Sequence, residues 1–451
     1  MTSERQPAVR IGVGAGFAGD RLEPAVQLAE SGKLDALVFE CLAERTIALA
    51  HQARLEGRTA GFDPLLIERM RGTLPAARKH GTVLITNGGA AAPPEAAQAV
   101  RELSTSLDQN CRIAAVTGDD VLRLLDLRSS PVLGGEGTLW DLRDRVVSAN
   151  AYLGVEGIVS ALDAEPAVIV TGRTSDAALF LAPIVHRFGW CKTQHDLIAA
   201  GTLVGHLLEC GGQLTGGYFA DGDRKVVPGL ARLGFPMAEV SADGSAVFSK
   251  LPGTGGRLDR LTCLEQLLYE VGDPHAYLTP DVVANFSQVS IEETAVDQVR
   301  VGGATGVAPP TTLKVSVGLN DGFVGRAEIS YAGKGCLRRA RMAREIVMER
   351  WDEVHGLGSV EVESHFIGYN SCRPWYGPDG FHQEPPEVRL RMAVRCLDRR
   401  PTTVLGREVE ALYTNGPAGG GGVTFKVQSS IGIVATTINR NEVSHEVVIY
   451  S

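Results

Sequence analysis

Between residues 10 and 174 the chain repeats one unit five times: a short apolar run, a glycine or acid, then a stretch able to form a helix. This alternation is what a parallel sheet wrapped by helices requires, and few other folds accommodate it. The apolar runs are residues 10–13, 36–39, 82–86, 112–116 and 167–170. In order, they lead into Gly14-Ala15-Gly16-Phe17-Ala18-Gly19-Asp20, Glu40, Asn87-Gly88-Gly89, Gly118-Asp119-Asp120 and Gly172-Arg173-Thr174-Ser175-Asp176. Ligands of open parallel sheets sit at the carboxyl ends of the strands, so these five turns are the first place to look for a site.

Further along, Ala178, Leu181, Ala182 and Val185 share one face at helical spacing, which predicts a helix over 175–188. A second helix over 196–208 delivers His206 and Glu209 to the glycine-rich turn 210–217. From about residue 240 the texture shifts to short alternating pieces, with strands expected at 312–317 and 321–331 and a charged amphipathic helix at 337–354. The segments 359–369 and 426–435 read as strands, 386–396 as mixed, and 416–422 as a glycine loop. The expected fold is α/β: a mostly parallel Rossmann-like sheet in the N-terminal half, then mixed α/β, then a small α+β C-terminal domain. The corresponding domains are 1–240, carrying the site, 241–355 packed on it, and 356–451.

Composition narrows the partners. A chain of 451 residues calls for two or three domains, and 44% hydrophobic with 22% charged residues is a globular balance. The net charge of −9, with basic residues scattered, argues against nucleic acid and for a small molecule. Residues 1–9 are polar and lack the apolar stretch of a signal peptide, and no run approaches the roughly 20 apolar residues of a membrane span. Eight cysteines stand singly with no CxxC pair, which fits reduced thiols in a cytoplasm. A homo-oligomer is the expected assembly.

Each turn has a chemical and a plain reading. Gly14, Gly16 and Gly19 fit the spacing of a dinucleotide fingerprint, with Glu40 standing 21 residues beyond Gly19; the same bare amides, with Phe17 beside them, suit a carboxylate or thioester. Asp119 and Asp120 could serve as a general base, join Glu40 around a divalent cation, or cap the next helix. Arg173 could grip a carboxylate or phosphate with two prongs, with Thr174, Ser175 and Asp176 alongside; the plain reading makes Thr174 or Ser175 a cap and pairs Arg173 with an acid. His206 and Cys210 are four apart and could form a nucleophilic pair or simply pack. Glu209 is the better acid or base, with Gln213 and Thr215 as substrate contacts and Asn87 and Gly88 as a further wall. GxSxG, HExxH and GxxxxGK[ST] are all absent from the sequence.

Taken together, Val9-Arg10-Ile11-Gly12-Val13-Gly14-Ala15-Gly16-Phe17, Phe39 to Thr46, Ile85-Thr86-Asn87-Gly88-Gly89, Thr117-Gly118-Asp119-Asp120, Gly172 to Asp176 and Gly205 to Phe219 resemble the acyclic terpene utilisation AtuA family. The resemblance covers most of residues 9 to about 350. It implies a setting in the catabolism of branched and terpenoid acids, beside acyl-CoA dehydrogenases, biotin carboxylases and enoyl-CoA hydratases, and it names relatives better than a reaction. Some relatives carry a ferredoxin-like C-terminal domain with an Arg-Ser-Gly-Asp-Lys-Gly loop. Here the corresponding place holds Asn415-Gly416-Pro417-Ala418-Gly419-Gly420-Gly421-Gly422, without those charges.

The expectation is therefore a lyase or hydratase acting on a branched hydroxy-acyl substrate, free acid or CoA thioester, by elimination of water or by retro-aldol carbon–carbon cleavage. Glu40, Asp119 or Asp120, and Glu209 would supply acid–base chemistry, and Arg173 with the 14–19 amides would hold the anion. That chemistry requires no cofactor, though a divalent cation is compatible with it. The alternatives are a noncatalytic acyl-binding or assembly subunit and a nicotinamide oxidoreductase.

Overall fold

The computed structural model describes residues 8–372 and 384–451; the first seven, part of the polar start of the chain, lie outside them. Contacts divide the chain into two compact units, 1–318 with 433–451, and 319–432. The divisions fall within two long strands.

In the first unit the five expected runs become β1 (Val9–Ala15), β2 (Ala36–Phe39), β3 (Val83–Thr86), β4 (Ile113–Thr117) and, after β5 (Val146–Ala151), β6 (Val168–Thr171). All five pair in parallel, in the order β1-β2-β3-β6-β4. They are apolar on both faces because helices cover both, and the sheet interior is built from residues such as Ile11, Leu37, Val38, Ile85 and Ile169. The helices are α1 (Glu23–Glu30), α2 (Glu44–Leu55), α3 (Leu66–His80), α4 (Pro93–Ser106), α5 (Glu156–Leu162), α6 (Asp176–Phe188), α7 (His195–Glu209) and α8 (Arg260–Leu268).

The sheet does not end with the parallel strands. On the β1 side it continues antiparallel through β7 (Pro236–Val240), β8 (Ala246–Lys250) and, beyond β9 (Tyr277–Leu278), β10 (Val283–Asn285) and β11 (Ser290–Ala295), through β12 (Gln298–Gly302), which joins β8 to β11. β9 and β10 belong to a separate small sheet with β13 (Thr305–Val307). The sheet of ten strands is thus mixed, and the expectation of a mostly parallel one is corrected. Pieces such as 246–250 alternate between buried and half-buried side chains, which suits antiparallel strands with one wetter face.

β14 (Thr312–Ala332), whose residues from Leu319 on belong to the second unit, joins the two strands expected at 312–317 and 321–331 into one. It pairs antiparallel with β16 (Glu387–Cys396), which in turn pairs with β15 (Val362–Ile367); β17 (Gly421–Asn439) lies on the far side of β14. The helices α9 (Cys336–Glu353) and α10 (Arg399–Asn415) complete this unit around Tyr331, Trp351, Leu390 and Leu405. The glycine run 416–422 is the turn from α10 into β17, with Gly419 and Gly422 at positive φ. The last strand, β18 (Glu446–Tyr450), returns to the first unit and pairs antiparallel with β4. Among the described residues no helix is long and apolar enough to cross a membrane.

Candidate functional site

Two glycines set the geometry. α7 is apolar nearly all round and buried, as a helix in the centre of a core must be. It packs against α6, where a Cβ on Gly205 would lie 2.4 Å from the Ala177 carbonyl oxygen and one on Gly201 would lie 2.3 Å from Leu181. Only glycine permits so close an approach, and it brings the end of α7, with Glu209, beside the start of α6, with Asp176. From the other side, a Cβ on Gly16 would lie 2.3 Å from the Cys210 carbonyl carbon, so the β1 turn is laid directly on the same backbone.

This packing answers the dinucleotide reading. The Gly16 N–H donates to the Asp20 carboxylate at 2.9 Å, so the chain's own acid occupies the amide a phosphate would use. Gly14 is small because the Phe39 ring lies over it, at 2.4 Å from an ideal Cβ. A buried arginine, Arg69, ties the turn down by donating to the Ala18 carbonyl and to Asp63.

Glu40 follows β2 and sits between two braces. Its Oε1 accepts the Leu42 N–H at 2.8 Å and the Asn87 side-chain amide at 2.8 Å, while Asn87 Oδ1 accepts the Cys41 N–H at 2.7 Å. Both bonds to the carboxylate fall on Oε1, and neither engages Oε2. The group keeps some surface toward a cavity but lies deep in the fold. Burial, followed by the Asp176 charge, pushes it up to about 8 against the opposing pull of Asn87, Leu42 and Arg173. Glu40 is accordingly a carboxylic acid at neutral pH.

Arg173 is almost wholly buried. Its Nη1 donates to the Leu42 carbonyl at 2.6 Å, the Thr174 carbonyl at 3.2 Å and Asp176 at 2.7 Å, and the guanidinium lies 4.0 Å from the Tyr152 ring centroid. The Tyr152 hydroxyl donates to Glu44, which Lys314 also approaches at 3.2 Å. Burial pushes the Glu44 carboxyl up, but Tyr152, its own backbone N–H and the Arg173 and Lys314 cations outweigh that and hold it at about 2.

Asp119 supports this arrangement from below. Its Oδ2 accepts the Arg173 N–H at 2.9 Å and the Asn150 amide at 2.9 Å, and Oδ1 lies only 2.3 Å from where a Cβ on Gly172 would stand. Burial pushes it up to about 6. Asp120 is exposed and accepts the Leu122 N–H at 3.2 Å.

Glu209 is buried and paired with His206, Oε1 to Nδ1 at 3.0 Å. The other imidazole nitrogen, Nε2, faces the Leu267 carbonyl at 3.2 Å and therefore carries a hydrogen. The ring is held against Tyr277 and Phe286, at 5.1 and 5.7 Å between centroids. Burial raises the Glu209 carboxyl and the His206 hydrogen bond opposes it; burial lowers His206, and Glu209 reverses that to a net rise. The hydrogen bond between Oε1 and Nδ1 holds a proton between the two groups. The Cys210 thiol is pushed up to about 12 by burial and then by Glu209, so the nucleophilic Cys/His pair has neither its thiolate nor its partner.

A cavity of about 680 Å³ lies over these groups. Of the residues singled out from sequence, Gly16, Phe17, Glu40, Arg173, Ser175, Asp176, Glu209, Cys210 and Gln213 line it. Gly14, Asn87, Gly88, Asp119, Asp120, Thr174 and Thr215 do not. Gly88 is held by the Thr86 hydroxyl, Thr174 donates to Thr171, and Thr215 donates to the Gly234 carbonyl at 2.7 Å. No side-chain cap from Ser175 is formed. Among the described residues no group of three His, Cys, Asp or Glu side chains has metal-binding geometry, so Glu40, Asp119 and Asp120 do not gather around a cation.

Sequence reasoning missed Glu44, Tyr152, Tyr269, Glu270, Tyr277 and Lys314, all of which line the cavity. Tyr152 had a signal, since Ser148, Asn150 and Tyr152 alternate along and just past β5. Tyr269 and Glu270, just past α8, and Tyr277, in the two-residue β9, had none.

No curated protein and no solved structure matches the chain. One family model does: the acyclic terpene utilisation family protein AtuA, over residues 9–449. The match takes in every residue that lines the cavity, and the chain belongs to the AtuA family.

Proposed function

We propose that the chain is a lyase that removes water from, or adds it to, a branched hydroxy-acyl substrate by carboxylate acid–base chemistry. The observation that carries this reading is a pair of carboxyl groups lining one cavity in unlike settings: Glu40, a neutral acid at pH 7, and Glu209, backed by His206. Unlike environments that separate the protonation of two acids are how one site keeps an acid and a base ready together.

In the dehydration direction Glu209 takes the proton from the carbon next to the acyl carbonyl. The electron pair of that C–H bond forms the double bond, and the carbon–oxygen bond of the leaving hydroxyl breaks. Glu40 gives its proton to the departing oxygen, so water leaves, Glu40 ends ionised and Glu209 ends protonated. A proton returned through solvent restores both. In this reading Asp119, which accepts the Arg173 N–H and does not line the cavity, holds backbone and does not act on substrate. The Asp20 carboxylate on Gly16 weighs against a nicotinamide enzyme.

The test is a mass-spectrometric screen of branched hydroxy acids and their thioesters for loss of water. We expect turnover that Glu40→Gln and Glu209→Gln each reduce by about a hundredfold or more. Absence of turnover across the set, or full activity in either variant, contradicts the proposal.

A further inference from the structure

The charges around the cavity specify the substrate more narrowly. Five carboxyl side chains line it, from Glu40, Glu44, Asp176, Glu209 and Glu270, against two cations, Arg173 and Lys314. Each cation is already matched within the chain: Arg173 by Asp176 at 2.7 Å and by two carbonyl oxygens, Lys314 by Glu44 at 3.2 Å. Setting those two pairs aside leaves Glu40, itself a neutral acid, Glu209, hydrogen-bonded to His206, and the exposed Glu270, with no cation that lacks a carboxylate partner. A carboxylate entering this space would lose water, find no free countercharge and meet the Glu270 charge, the arrangement that disfavours an anion.

What the cavity offers instead is neutral hydrogen bonding. The Tyr269 and Tyr277 phenols line it, and their hydroxyls are kept protonated, Tyr269 first by the Glu270 charge and Tyr277 first by burial. Ser175 and Gln213 add a hydroxyl and an amide. Such groups suit a carbonyl or an alcohol, which gain from donors without needing a countercharge.

We infer that the acyl group enters the cavity uncharged, as a thioester or oxygen ester, and that the corresponding free acid is rejected. This rests on the acyl-lyase reading for the identity of the acyl group, while the charge argument stands on the cavity itself. It also reverses the sequence expectation that Arg173 grips a substrate carboxylate.

The experiment is calorimetric binding to the full chain at pH 7.5 of 3-hydroxy-3-methylpentanoic acid, its methyl ester and its N-acetylcysteamine thioester. The two neutral forms are expected to bind about tenfold or more tighter than the acid. Asp176→Asn, which releases Arg173, and Glu270→Gln, at an exposed position that leaves the fold intact, are each expected to shrink that ratio. An acid that binds as tightly as its esters, no binding of any of the three, or a ratio unchanged in both variants overturns the inference. Because binding is read without turnover, neutral forms that bind but lose no water uphold this inference and remove the lyase reading. Water loss from the free acids does the reverse.

Discussion

The turn after β2 and the turn after β4 present the same thing to a reader of the sequence: an acid just beyond an apolar strand. In the structure they diverge. Glu40 takes both of its hydrogen bonds on one oxygen and lines the cavity, while Asp119 takes two on Oδ2 and has Oδ1 against Gly172. Burial raises both, to about 8 and about 6. A displaced pKa by itself therefore does not separate a group that acts from a group that holds; the difference lies in whether an oxygen is left for a ligand.

Substitutions at the two turns should break the comparison in opposite ways. The largest effect expected is on turnover: Glu40→Gln keeps an oxygen for Leu42 and Asn87, and should lower kcat by about 10²–10⁴-fold while thermal denaturation at pH 7 is little changed. Next, Asp119→Ala leaves the Arg173 N–H and the Asn150 amide without an acceptor, and should cost about 2–5 kcal/mol in denaturant unfolding. The folded remainder of that variant should keep most of its activity per molecule.

A smaller effect sharpens the contrast through pH. A carboxyl raised on folding binds more protons in the native than in the unfolded state, so its contribution to stability is full below the ordinary pKa and is lost as pH rises through the folded one. For Glu40 the loss runs from 4.5 to about 8, and for Asp119 from 3.8 to about 6. Subtracting the stability curve of Glu40→Gln from that of the unsubstituted chain should show a fall across the first window, and subtracting that of Asp119→Asn a fall across the second. A common window would mean the two carboxyls sit in one setting after all. The smallest effect belongs to Cys210→Ser, whose thiol is held neutral: activity should stay within about twofold.

The five parallel strands were legible because strands buried on both faces are apolar throughout, and each ends in a residue type that a turn needs. The antiparallel additions were not, since β18 reaches the β4 edge from the far end of the chain and no local pattern specifies such a partner. Glu40, Arg173 and Glu209 could be picked out as polar residues at strand ends or beside a glycine turn. What separates them from Asp119 could not, because it depends on Gly172 standing against one oxygen and on Gly205 allowing α7 to reach α6. Tyr269 and Glu270, just past α8, belong to irregular chain, where composition alone gives no direction to a side chain.

That Glu40 is a neutral acid at the cavity can be tested without a substrate. Infrared difference spectroscopy across pH, comparing the unsubstituted chain with Glu40→Gln, reads the carbonyl stretch of protonated carboxyl groups. The account predicts a band present at pH 7, absent in Glu40→Gln, and lost with a midpoint near the value of about 8 that burial and Asp176 impose. A Glu40 carboxyl already ionised by about pH 5, as in an ordinary solvated glutamate, would contradict it.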